Sequence, residues 1–130
     1  MKFRIFFSGV FLIFLFSGGC EKTESGRSVD SIVNHRFGVD ANLAFAIDSI
    51  RDYRCPSDVV CVWAGDVDVF MKFYLASASI DTMMNLNNAA RNPVSIGGYS
   101  FRINEVLPYP VSNRTTDQKD FKISMTITRE

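Results

Sequence analysis

The chain is poor in the residues that most often carry chemistry: its 130 residues include one histidine, one tryptophan and three cysteines. A lone His35 has no second imidazole to share a metal with, and no serine or cysteine stands beside it in a nucleophile motif. A hydrolytic triad is therefore not expected. Cys55 and Cys61 do not have the C-x-x-C spacing favoured by redox-active pairs. Excess charge of either sign is lacking too, since Lys plus Arg and Asp plus Glu number 14 each. Without a basic field, nucleic acid is not an expected partner. No motif calls for a cofactor, and no catalytic constellation is recognisable, so the chain reads as a non-enzyme. Nor does any apolar run reach the roughly 20 residues of a membrane-crossing helix.

What is present begins at the N-terminus. Lys2 and Arg4 precede an apolar run from Ile5 to Phe16, and Ser17-Gly18-Gly19 leads to Cys20. Twelve helical residues reach about 18 Å, short of the roughly 30 Å hydrocarbon core, which fits a signal peptide over residues 1–19. A cysteine directly after small residues at the end of such a core resembles the lipobox of bacterial lipoproteins, with Ser17 where leucine is usual. The resemblance implies that Cys20 is lipidated and that the protein is held to the cell envelope by its acyl chains. Glu21 in place of aspartate implies the outer membrane if the host is Gram-negative. The alternative is a secreted or periplasmic protein released by ordinary cleavage. Removing residues 1–19 leaves an excess of two acids. Residues 20–30, ending in the polar run EKTESGRSVD, read as the lipidated cysteine and a flexible tether. A single domain over residues 31–130 follows.

With Cys20 assigned to lipid, Cys55 and Cys61 remain, and an exported compartment favours a disulfide between them. A metal pair is the alternative, but C-x5-C is not a usual zinc spacing and only His35 is left to join it. The pair sits in a loop bracketed by Pro56 and Gly65, expected to be a pinned corner between two strands.

Alternation dominates the rest. Val67, Val69, Met71, Phe73 and Leu75 take one face of a strand over 66–75, with Asp66, Asp68, Phe70, Lys72 and Tyr74 on the other. Leu43, Phe45 and Ile47 alternate in a strand that needs a bulge before Ile50; a helix capped at Asp40 is the alternative for the same segment. Short strands are expected around Arg36-Phe37-Gly38, over 80–86 and at Val94-Ser95-Ile96. Gly97-Gly98 marks a hairpin into Tyr99–Leu107, ended by Pro108-Tyr109-Pro110. Phe121, Ile123, Met125 and Ile127 alternate in a closing strand. Six or seven such strands predict an all-β, antiparallel β-sandwich or small barrel, immunoglobulin-like in outline at most.

The stretch Asp52-Tyr53-Arg54-Cys55-Pro56-Ser57-Asp58-Val59-Val60-Cys61-Val62-Trp63-Ala64-Gly65 resembles the D-S-R-C-P-x-x-V-x-C-x-W-x-G signature of a group of small, uncharacterised bacterial lipoproteins and secreted proteins, with Tyr53 in place of serine. The resemblance implies an exported β-rich domain and assigns no activity.

Several residues are candidates for function. Trp63 is expected to plug the disulfide, the alternative being a ligand platform. Phe70 and Tyr74 on the outward face are either covered by a second layer or form a binding patch. Asp58, Asp66 and Asp68 are the candidate calcium ligands, set against a solvated strand face. Met83 and Met84 are adjacent and point to opposite faces, which favours packing over a shared soft-metal site. These features predict a lipid-anchored binding or accessory domain for a protein or envelope component. The alternative is a small-ligand, glycan or metal-ion binder using the outward aromatics or the three aspartates.

Overall fold

A computed structural model describes residues 26–130; the expected signal peptide, the lipidation expected at Cys20 and residues 21–25 of the expected tether lie outside the described residues. Eight strands form two four-stranded antiparallel sheets. One sheet runs β1 (Arg27–Ile32), β8 (Lys122–Arg129), β7 (Tyr99–Leu107), β6 (Val94–Ile96). The other runs β2 (Arg36–Gly38), β3 (Leu43–Asp52), β4 (Val67–Leu75), β5 (Ser79–Asn85). The sheets do not close into a barrel. The architecture is the expected all-β sandwich.

The core follows from period-two alternation. Phe45, Ile47, Val67, Val69, Met71 and Phe73 from one sheet meet Phe101, Ile103, Val106, Ile123 and Met125 from the other, all essentially sealed from water. Phe101 stands edge-on to both Phe45 and Phe73, at ring-centroid distances of 5.7 and 4.8 Å. Such tilted pairs suit the quadrupoles of aromatic rings.

Leu43–Asp52 is strand and not helix, and its register with β4 shifts between Ile47 and Ser49, where the bulge was required. A helix would have exposed Phe45; the strand buries it completely. The expected tether is shortened from the domain side, because β1 begins at Arg27. Its sequence reads as polar because it is an edge strand, paired only with β8 and burying little beyond Val29 and Ser31.

Side-chain amides close the seams that the strands leave. Gln118 donates to the carbonyl of Ile50 and accepts from its N–H, both at 2.8 Å, acting as a stand-in strand beside the bulge. Asn92 does the same for Ile103, donating to its carbonyl and accepting from its N–H, while also donating to the carbonyl of Leu86. Each amide satisfies buried main-chain groups that would otherwise be orphaned beside an irregular strand.

The sandwich has two distinct poles. Leu43, Leu75, Tyr99 and the start of β1 lie at one, since Arg27 faces Ile127, Tyr99 faces Arg129 and Leu43 faces Leu75. Asp52, Val67 and Leu107 lie at the other, and from there the β3–β4 loop projects.

Candidate functional site

The β3–β4 loop is built from the strand ends outward. Beyond the last ladder pair the two arms stay in register: the N–H of Tyr53 donates to Asp66 and that of Cys55 to Ala64, at 3.0 and 2.7 Å. Gly65 makes that approach feasible. Its φ is +69°, and a β-carbon there would fall 2.0 Å from the carbonyl oxygen of Tyr53. Only glycine fits both the conformation and the gap. Above this neck a Cys55–Cys61 disulfide, with α-carbons 5.9 Å apart, closes the loop. The pinned corner therefore stands as expected.

What fixes the loop to the domain is a buried ion pair. Asp52 and Arg54 are two residues apart in extended chain, so their side chains leave the same side. Arg54 grips the Asp52 carboxylate through Nε and Nη2 at 2.9 and 2.6 Å. The remaining guanidinium N–H groups cross to the other sheet, donating to the carbonyls of Val106 and Pro108 at 2.9 and 3.1 Å. The Arg54 Cζ lies over the Tyr109 ring, 4.4 Å from the centroid. Side-chain exposure of the pair is 5% for Arg54 and 9% for Asp52. A planar fork with five donors is the side chain able to bind a carboxylate and two carbonyls at once. A second tie lies just outside: Ser57 donates its N–H to Pro110, and Asp58 accepts from both the hydroxyl and the N–H of Ser112, at 2.6 and 2.8 Å. These two bonds, the hydroxyl's foremost, hold the Asp58 carboxyl below its ordinary pKa.

On this base the loop presents a bare apolar tip. Trp63 is 83% exposed, Val60 and Val62 are fully exposed and Val59 and Tyr53 are partly so. Trp63 does not plug the disulfide: the buried Asp52–Arg54 pair occupies the base of the loop, with the half-exposed Tyr109 stacked on its guanidinium, and the indole is left in water. Tyr53, Trp63 and Gly65 line a shallow cleft of about 430 Å³ on one side of the tip. From Val59 to Gly65 no residue is charged, and from Cys55 to Met71 there is no lysine or arginine, while Asp58, Asp66 and Asp68 fall in that span.

The three aspartates are not brought to a common point. Asp58 is engaged with Ser112. Asp66 accepts from the N–H of Val67 and from the N–H and amide of Asn87. Asp68 is buried and accepts from Arg51, from the hydroxyl of Tyr53 at 3.2 Å and from the amide of Asn85. Among the described residues no group of three or more His, Cys, Asp or Glu converges as a metal site would require. The outward aromatics are partly covered, and by side chains of neighbouring strands rather than by a loop. Arg36 lies 4.1 Å from the Tyr74 ring centroid and Arg51 lies 5.6 Å from that of Phe70. Between those two rings Lys72 pairs with Asp81 at 3.2 Å, and the pairing raises the lysine's pKa. Met84 is in the core and Met83 half-buried against the outer face, so the neighbouring thioethers do diverge. His35 sits edge-on to Phe37 at 4.7 Å.

Sequence reasoning had the stretch but missed two of its parts. Asp52 and Arg54 stand in the sequence only as members of the quoted signature, although their i, i+2 spacing at a strand end was the available signal. The bareness of Val60, Val62 and Trp63 had no signal in an apolar run that reads equally well as core. No protein-family model, curated protein or solved structure matches the chain.

Proposed function

We propose that this protein is a lipid-anchored component of the cell envelope whose sandwich is a binding module rather than an enzyme. The observation that carries the binding part is the tip itself. A disulfide, a glycine neck and a buried ion pair are spent on holding three valines and a tryptophan in water. Exposed, contiguous apolar side chains are costly to solubility and mark interaction sites. Tryptophan is prominent among the residues that dominate interfaces, and a loop already closed covalently loses little entropy on docking. The anchoring part rests on the N-terminal pattern from Lys2 to Cys20. Metabolic labelling with palmitate tests it: the full chain should carry label in the membrane fraction, and Cys20→Ala should lose both label and sedimentation. Equal, negligible labelling of the two would overturn the anchor. Protection of Trp63 from iodide quenching in native membranes, relative to the purified protein, tests the binding part. Equal quenching in both would overturn it.

A further inference from the structure

The tip's occupant follows from its position and its charge. The chain enters β1 at Arg27, on the pole of Tyr99 and Arg129, whereas the tip leaves from the pole of Leu107. Arg27 lies level with Phe101 through Ile127; six steps of β7 from there to Leu107 and three more along the paired arm from Asp52 to Cys55 put the base of the tip about 30 Å away at 3.3 Å per step. Covalent geometry limits the seven steps from Cys20 to Arg27 to about 25 Å. If Cys20 is held in a bilayer, as proposed above, a domain standing on that tether turns its tip away from the same bilayer. Charge points in the same direction. Asp58 and Asp66 flank the apolar run, no lysine or arginine lies between Cys55 and Met71, and hydrogen bonds from Ser112 favour the ionised form of Asp58. Loops that dock on anionic lipid carry basic flanks. A second copy of this chain would set like charges against each other.

We infer that Val60, Val62 and Trp63 are the central anchors of an interface with a protein that presents an apolar pocket rimmed by lysine or arginine, engaged on the pole far from the chain's own membrane attachment. The apolar anchors supply the affinity, and Asp58 and Asp66 supply orientation and encounter rate. This rests on the binding reading above and deepens it.

Photo-crosslinking in intact cells tests it, with p-benzoylphenylalanine in place of Val62 in the full chain and a control probe in place of Ser77 at the opposite pole. The expected result is one discrete protein adduct from position 62 and none from position 77. Mass spectrometry should place the cross-linked peptide in an apolar pocket beside lysine or arginine. Adding Trp63→Ser to the position-62 chain should lower the yield roughly tenfold or more, as loss of a central aromatic does. In isolated envelopes, raising salt from about 0.1 to about 0.5 M should lower it several-fold, because flanking charges are screened. Phosphatidylcholine vesicles, with or without phosphatidylglycerol, should leave the emission of Trp63 in purified protein unchanged. Lipid adducts with a vesicle-induced blue shift, an adduct between two copies of this chain, an adduct insensitive to Trp63→Ser or to salt, a cross-linked peptide without basic neighbours, or no adduct would each overturn the inference. Loss of palmitate labelling with the position-62 adduct retained would remove the anchor and leave the protein interface standing.

Discussion

Replacing Arg54 with methionine isolates the tie between the loop and the two sheets. Methionine keeps most of the side chain's length and apolar contact but removes every donor. Three acceptors lose the guanidinium: the carbonyls of Val106 and Pro108, and the Asp52 carboxylate, which keeps only the backbone N–H of residue 54 at 3.1 Å. With side-chain exposures of 5% and 9%, water reaches neither member of the pair easily. Breaking a buried pair from one side costs about 3–5 kcal/mol, because an uncompensated charge stays behind. Against a total stability of about 5–15 kcal/mol, that is a large fraction. Urea unfolding followed by far-ultraviolet circular dichroism should show the midpoint falling by about 2–3 M, for a slope near 1.5 kcal/mol/M. Arg51→Met is the internal control. Arg51 is 66% exposed, and its partner Asp68 keeps the hydroxyl of Tyr53 and the amide of Asn85. Because the Asp68 carboxylate is itself buried, the loss should cost about 1.5–3 kcal/mol, below that of Arg54→Met since two neutral donors stay with Asp68. Adding Asp52→Asn to Arg54→Met removes the stranded charge and should restore part of the loss. Arg54→Met no more costly than Arg51→Met would refute the claim that this guanidinium joins the sheets.

Three further outcomes follow from the same loop. Gly65→Ala should destabilise by more than about 2 kcal/mol in the same urea assay, since a methyl cannot coexist with the Tyr53 carbonyl 2.0 Å away at φ +69°; a loss under about 0.5 kcal/mol would mean the neck opens freely. Cys55→Ser with Cys61→Ser should cost about 2 kcal/mol, the loop-closure value for so short a ring, and should raise proteolysis between Pro56 and Trp63; unchanged cleavage would show that the disulfide does not order the tip. The carboxyl of Asp58, with its pKa lowered in the folded state by Ser112, contributes stability above its unfolded pKa of about 3.9 that is lost as pH falls through the lower folded value. Asp58→Asn should therefore flatten the acid limb of stability below about pH 4, and an unaltered limb would contradict the assignment.

The fold was legible where burial is one-sided. Val67 to Leu75 alternates so cleanly because one face meets Phe45 and Phe101 and the other meets side chains such as Arg36 and Arg51, and the bulge before Ile50 showed as a break in the same rhythm. Strand β1 was hidden, because an edge strand paired on one side buries too little to display alternation. The site was half legible. Two cysteines, a proline and a glycine marked a constrained loop, since each restricts backbone freedom whatever surrounds it. The fate of Trp63 was not legible. An indole beside a disulfide is core if space beneath the loop is empty and surface if it is filled, and the filling comes from the Asp52–Arg54 pair, on which Tyr109 is stacked from 46 residues beyond Trp63 in the chain. Gln118 and Asn92 were invisible for a related reason: an amide that completes a distant strand looks locally like any loop residue.

The chain's single tryptophan makes the central claim directly measurable. If the loop rests on a filled base and holds its apolar tip in water, the purified folded protein should emit like free tryptophan in buffer. It should be quenched by iodide nearly as efficiently, and its emission maximum should barely move on unfolding in guanidinium chloride. A blue-shifted, iodide-resistant emission that moves to the red on unfolding would show Trp63 packed inside, and would contradict the account.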